Sequence, residues 1–336
     1  MKRSTTMAAI LVSIGLLAAV ALVACGSAAK PEPAAALSIA TPIPSTPSPS
    51  ASTVTLGTFP LTLSDGLGRE VTLKAAPSRI VSLAPSNTEI LFAVGAGDQV
   101  VGVTKYCNYP PEAQTREQVG GFSADTISVE TVVALEPDLV LTIGESQRPV
   151  IEALEQVGIP VAALTANSFD DVYANIEQVG RLTGHQEEAA QVVSEMKKRV
   201  EAVTTVVTAV PPEERLPVFW EVWDEPLMTA GPSTFAGQAI ELAGGVNIFS
   251  DVTQDYPQVS TEEVVKRNPA VILGPDTHGD KLTTEQLVQR PGWDQIQAVR
   301  EGRVHLIEGD IVSRPGPRLA EGLEAVAHAL YPDLFK

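Results

Sequence analysis

Basic residues are scarce in this 336-residue chain: 23 Lys and Arg stand against 41 Asp and Glu, a formal net charge of −18. A surface of that sign repels nucleic acid, whose backbone demands a basic footprint, and it does not adsorb to anionic lipid. Cysteine is scarcer still, with Cys25 and Cys107 alone. Cys25 closes an apolar N-terminal run, and Cys107 is left with no intramolecular partner, so no disulfide framework holds the fold. A lone Cys is ordinarily a small buried hydrophobe, and Cys107 is read that way rather than as a nucleophile. The four histidines, His185, His278, His305 and His328, lack any metal-ligand spacing. There is no phosphate loop, no dinucleotide fingerprint after a strand and no nucleophile elbow. With these absent, no metal, no cofactor and no reaction can be assigned, and the chain is expected not to be an enzyme. A hydrolase built on Ser86 or Cys107 remains as the alternative in that class.

What is present begins at the N-terminus. Lys2 and Arg3 precede an apolar run from Met7 to Ala24, the order of a secretory signal. A single membrane-spanning anchor is the competing reading, because the run comes close to spanning length. Leu22-Val-Ala-Cys25, followed by Gly26, decides between them, since it resembles the lipobox of bacterial lipoproteins. Residues 1–24 are therefore expected to be cleaved, leaving Cys25 acylated and the protein anchored by lipid outside the cytoplasm. Two acyl chains hold a protein to a bilayer where one does not. Loss of residues 1–24 removes two basic residues and no acid, and the net charge becomes −20. Residues 25–58 carry six prolines among Ala, Ser and Thr. Such a composition buries too little apolar surface to fold, and its prolines keep it extended; it reads as a tether.

Folded structure is expected from Phe59. Leu61 to Leu73 alternates around Asp65-Gly-Leu-Gly68, a hairpin signal. From Arg79 short β-rich runs (Ile80–Leu83, Val100–Val103, Leu139–Thr142, Val161–Leu164) alternate with helical stretches, the pattern of a parallel sheet covered on both faces. His185 to Val207 is a long uninterrupted helical pattern, with Ala189, Val192, Val193, Met196, Val200 and Val203 on one face. After Pro211-Pro212 the alternation resumes. The second half echoes the first. Ser128-x-Glu130-x-Val-Val with Pro137 recurs as Ser260-x-Glu262-x-Val-Val with Pro269, and Pro85-Ser86 with Gly95-Ala-Gly97 recurs as Pro232-Ser233 with Gly244-Gly245. The expected fold is α/β: two Rossmann-like lobes with parallel sheets, residues 59–167 and 213–336, joined across a bridging helical segment, 168–212, containing one long rigid helix.

In each echo the serine is placed to cap a helix with the glutamate in its first turn, where the macrodipole favours a carboxylate. Capping alone accounts for Glu130 and Glu262; alternatively they are a matched pair of surface charges, one per lobe, for a two-fold partner to read. Aromatic residues make up only 5% of the chain, yet Tyr106, Tyr109, Phe122, Trp220, Trp223 and Tyr256 fall at or near expected strand-to-helix turns. Ligands of open parallel sheets bind beyond the carboxyl ends of the strands, so a cleft walled by these rings would suit a large flat ligand.

Pro85-Ser-Asn-Thr-Glu-Ile, Val101-Gly-Val, Tyr109-Pro-Pro-Glu-Ala, Glu136-Pro-Asp-Leu-Val and Gly244-Gly-Val-Asn-Ile-Phe together resemble the iron-chelate and cobalamin class of periplasmic binding proteins, from Arg79 to the C-terminus. The resemblance implies the class III fold and the role of substrate-binding protein for an ABC importer. Its partners would be a permease dimer with its ATPase subunits, and the chain is expected to act as a monomer. Glu130 and Glu262 match the family's two permease-docking glutamates. Tyr106, Phe122 and Tyr256 fall where cobalamin-binding members place a tyrosine and two tryptophans around the corrin. Asp310 and Arg314 match an Asp and an Arg at the ligand edge, and Ser86 a pocket-wall position. Trp223 lies in Trp220-Glu-Val-Trp-Asp-Glu, which departs from the family pattern, and it is taken as a further ligand contact. The expected ligand is cobalamin or a related corrinoid, with haem or a ferric siderophore as the alternative.

Overall fold

Short apolar strand runs separated by helical stretches favour parallel pairing through crossover helices, and that is how the main sheets fold. The computed structural model describes residues 59–336; the expected signal peptide, Cys25 and the Pro-rich tether lie outside the described residues. An antiparallel hairpin, β1 (Leu61–Ser64) and β2 (Glu70–Leu73), leads into β3 (Ile80–Ser82), α1 (Pro85–Ala93), β4 (Val100–Val103), β5 (Glu117–Gln118), α2 (Val129–Ala134), β6 (Leu139–Thr142), α3 (Arg148–Gln156) and β7 (Val161–Ala163). Two helices follow, α4 (Phe169–Thr183) and α5 (Gln186–Val207). The second half comprises β8 (Pro217–Asp224), β9 (Leu227–Thr229), α6 (Phe235–Leu242), β10 (Val246–Asn247), α7 (Thr261–Arg267), β11 (Val271–Pro275), two one-turn helices α8 (Thr284–Leu287) and α9 (Gln297–Arg300), β12 (Val304–Ile307), α10 (Gly309–Ser313) and α11 (Leu319–Leu330).

The first sheet has the order β5-β4-β3-β6-β7 and the second β10-β8-β11-β12, with β9 folded back antiparallel on β8. Setting β5 and β9 aside, each lobe places its strands second, first, third, fourth. The duplicated order reaches down to single backbone angles. Ser128 and Ser260 cap α2 and α7 by accepting from the N–H three residues on, each at 3.2 Å. Glu136 and Asn268, at φ 47° and 44°, turn the chain out of those helices into Pro137 and Pro269. Positive φ suits Asn and is uncommon for Glu, so the second lobe makes the same turn with the better residue.

Both faces of each sheet are covered, and successive strand residues alternate between two cores. Ile80, Leu139 and Leu141 join a cluster that Val81, Val140 and Leu83 do not share. In the second sheet Val218 and Leu273 face one way, Phe219 and Ile272 the other. The inner cluster of both sheets is continuous through α5, which buries Ala189, Val193, Met196, Val203 and Val207. Four of these belong to the apolar face read from the sequence, whose Val192 and Val200 are only partly buried against the cluster, and Val207 extends it. Helix α4 reverses into α5 at Gly184, left-handed at φ 84°. A Cβ on Gly180 would stand 2.4 Å from that of Ala189, so only glycine lets the two helices approach this closely. Arg199 then fixes α5 to α11, donating to Glu324 at 2.8 and 2.6 Å and to Glu321 at 3.3 Å. Among the described residues no helix is long and apolar enough to cross a membrane.

Asp65, buried between β1 and β2, anchors the hairpin to the first sheet. Its carboxylate accepts from the backbone N–H groups of Leu67, Arg69 and Ala163 at 2.9–3.0 Å and pairs with the Arg69 guanidinium. Burial pushes this carboxyl up, but those donors outweigh it and hold it below the usual range. The native state therefore binds the proton less tightly than the unfolded chain. The resulting stability is complete above the ordinary carboxylate value of about 4 and is lost as pH falls through the lowered one. Asp65→Ala should lower unfolding free energy by about 3 kcal/mol at pH 7 in urea titrations and should shrink the wild type's loss of stability between about pH 4 and pH 2.

Candidate functional site

The carboxyl ends of both sheets open toward the same cleft. On the first lobe, β3 runs into the N-terminus of α1, where Ser86 is buried. The loop after β5 brings up Phe122, and Gln147 fixes it. This fully buried amide donates to the carbonyls of Phe122 and Leu83, each at 2.9 Å, and accepts from Ile143 N–H at 3.1 Å. On the second lobe, residues 251–258 lie against the turn after β9 through bonds from Thr229 N–H to Pro257 O and from Gly231 N–H to Asp255 O. A Cβ on Gly231 would sit 2.1 Å from Gln254 O, so glycine permits that seating. It aims Asp255 and Tyr256 at the cleft.

A cavity of 460 Å³ lies between the lobes, bounded by Ser86 and Phe122 on one side and by Asp255, Tyr256 and Arg314 on the other. A second chamber of 320 Å³ adjoins it, with Tyr256 and Ser313 as the common wall and Trp220, Val222 and Asp310 deeper in. Phe122 and Tyr256 leave 42% and 52% of their surfaces open, so the rings are free to stack on a ligand. Desolvation and the neighbouring Asp255 charge push the Tyr256 phenol above its usual value, and it stays neutral at physiological pH. A larger hollow of 690 Å³ lies outside this cleft, against α1, α5 and α11. Of its cations, Arg199 and Arg318 are held by Glu324 and Glu89, and Arg116 lies 4.0 Å from Asp98 and donates to Gly97 O. The inter-lobe cavity is the better candidate because it stands where strand ends converge.

Ser86, Phe122, Tyr256, Asp310 and Arg314 are thus brought together. Tyr106 sits at the rim: its carbonyl faces Arg314 Nη2 at 3.5 Å, while its ring lies near Lys105 and lines neither chamber. Trp223 is not brought to the cleft lining. The sequence reading placed it in a turn, but β8 runs on through it. Trp220 and Val222 face the chamber and Trp223 points to the other side. There its Nε1 donates to Glu225 O, and its ring centroid is 6.5 Å from that of His278. Cys107 is enclosed with the hydroxyls of Thr88 and Thr104 and lines neither chamber.

Glu89, quoted within a motif but given no role from sequence, is the centre of the lobe junction. This buried α1 carboxylate takes a two-pronged contact from Arg318 of the other lobe, at 3.0 and 2.9 Å, and a third bond from Arg314 at 3.1 Å. Arg314 continues to Asp310 at 2.7 Å and to Asn108 Oδ1 at 2.6 Å, and Asn108 donates back to Asp310. Arg318 also packs over the Tyr109 ring at 4.1 Å. The Glu89 bonds raise the Arg318 guanidinium further above its usual value. Glu130 and Glu262 occupy the second position of α2 and α7, and both are exposed.

The sequence profile of the periplasmic binding protein family matches residues 80–310. The chain belongs to that family. It is 38% identical to an uncharacterized ABC transporter substrate-binding lipoprotein of Bacillus subtilis over 83% of this chain and 88% of the relative. It is 36% identical to a cobalamin-binding protein of Halobacterium salinarum over 81% and 74%. Its fold is similar to the crystal structure of the periplasmic vitamin B12 binding protein of Vibrio cholerae, with TM-score 0.66, 29% identity, and coverage of 76% of this chain and 97% of that one. As a member of this family the protein is the substrate-binding component of an ABC importer, working with a permease and its ATPase subunits.

Replacing Glu89 by Gln should cost about 3–5 kcal/mol in urea unfolding, because two guanidiniums lose their buried counter-charge.

Proposed function

We propose that this protein captures cobalamin or a related corrinoid between its lobes and hands it to the permease. It does so as a monomer without catalysis, anchored outside the cytoplasmic membrane through lipid on Cys25. One observation carries the choice of ligand. Phe122 and Tyr256 stand open on opposite walls of a cavity whose single cation, among the described lining residues, is already engaged by Glu89, Asp310 and Asn108. Open rings suit a broad, nearly neutral macrocycle. Catecholate chelates and haem propionates would call for uncommitted Arg or Lys. The name of the Halobacterium salinarum relative supports the same reading. Ser86, Asp310 and Arg314 would meet the ligand's polar edge, with Tyr106 at the rim.

Titration calorimetry of the purified protein should show saturable 1:1 binding of cyanocobalamin. Phe122→Ala and Tyr256→Ala should each weaken it about five- to tenfold, the worth of a lost aromatic contact of about 1–1.5 kcal/mol. Saturation by haem or a ferric siderophore in place of cyanocobalamin would overturn the choice of ligand.

Glu130 and Glu262 act in this reading as the permease-docking pair, one at the same helical position in each lobe. The double Glu→Ala variant should bind cyanocobalamin as the wild type does, yet fail to stimulate ATP hydrolysis by the reconstituted transporter. Lost ligand binding would instead tie these residues to the fold or the cleft.

A further inference from the structure

The cleft contains a carboxylate that the capture role leaves unused. Asp255 lines the 460 Å³ cavity beside Tyr256, and its Oδ1 accepts from Ser233 Oγ at 2.5 Å. Among the described residues no Lys or Arg pairs with it, whereas Asp310, the other acidic residue of the chambers, is paired with Arg314. The backbone of Asp255 is held by Gly231 N–H at 2.7 Å, which seats the residue beside Tyr256, and the Ser233 hydroxyl orients its carboxylate. The second lobe's wall therefore carries an uncompensated negative charge facing the ligand space, in a protein that is itself strongly acidic.

Resting on the corrinoid reading above, we propose that Asp255 is a specificity-determining residue, which excludes anionic chelates from the cleft and offers its carboxylate oxygens to N–H donors of a neutral, carboxamide-bearing ligand. Selectivity is a difference between affinities, and an element that repels the wrong ligand contributes as much as one that attracts the right one. Each ligand charge brought within a few ångströms of a carboxylate in a water-filled cleft weakens binding about fivefold, more as the cleft closes and dries. A ferric tris-catecholate, carrying three negative charges, meets the largest penalty. Because repulsion between exposed charges is screened by salt, its residual affinity should rise with ionic strength while that of cyanocobalamin stays flat.

The test compares wild type, Asp255→Asn and Ser233→Ala, each titrated with cyanocobalamin and with a ferric tris-catecholate at low and at physiological salt. Asp255→Asn preserves shape and removes the charge. It should raise tris-catecholate affinity about tenfold and flatten its salt dependence, and weaken cyanocobalamin binding only about threefold, for the one acceptor oxygen lost. Ser233→Ala keeps the charge and should keep the wild-type discrimination. Equal melting temperatures check that the cleft is intact in each variant. Cyanocobalamin binding with no gain of tris-catecholate affinity in Asp255→Asn would overturn the role of Asp255 and leave the corrinoid reading in place. A gain of anion affinity without cyanocobalamin binding in any variant would support the role of Asp255 and overturn the corrinoid reading. Tight wild-type binding of the tris-catecholate would overturn both.

Discussion

A carboxylate taken out of water must find cations at once, and Glu89 finds both of its cations on the opposite lobe. Much else in the molecule hangs on that pairing. Glu89 belongs to the helix whose first turn carries Ser86, so the cluster that joins the lobes also sets the floor of the cleft. It draws Arg314 across the junction into contact with Asn108 and Asp310. A guanidinium so fully engaged shapes the ligand's surroundings while contributing little net positive charge to them. The ionic tie is thus at once a fastening between lobes and the reason the described lining of the cavity offers no uncommitted guanidinium.

The second constraint is mechanical. Helix α5 runs between lobes whose inner cores merge around its apolar face, and Arg199 pins it to α11. Separating the lobes widely would expose that shared core and uncouple Glu89 from its partners. Movement of the lobes is therefore expected to be small in amplitude, and the site is largely formed before the ligand arrives. Pre-formed binding saves the ordering entropy that a flexible site gives up on capture.

The architecture was legible because its signals are local and periodic. Strand runs such as Leu139–Thr142, the apolar stripe of α5 and the serine caps of α2 and α7 are each written within a few consecutive residues. The aromatic walls were partly legible for the same reason, since Phe122 and Tyr256 stand in turns beside strand ends. Trp223 shows where this fails: a strand that overruns its sheet reverses the side of every second residue, and composition alone does not mark its end. Glu89, Asn108, Gln147 and Arg318 were invisible as a group because their partners lie far off in sequence. A buried ion pair between Glu89 and Arg318 has no spacing to read. Asp255 escaped notice because an unpaired acid is defined by cations that are missing around it in space.

The duplicated turn has a consequence of its own. Ser128 with Glu130 and Ser260 with Glu262 present nearly the same short helix end twice, once per lobe. A receptor assembled from two like halves would meet an equivalent signal whichever lobe faced whichever half. Arrival rotated by half a revolution would then be as productive as the original pose, and the search for a correct landing would have two answers in place of one. Symmetry that began as a repeated piece of chain would become a degeneracy of orientation, shortening the wait between encounter and delivery.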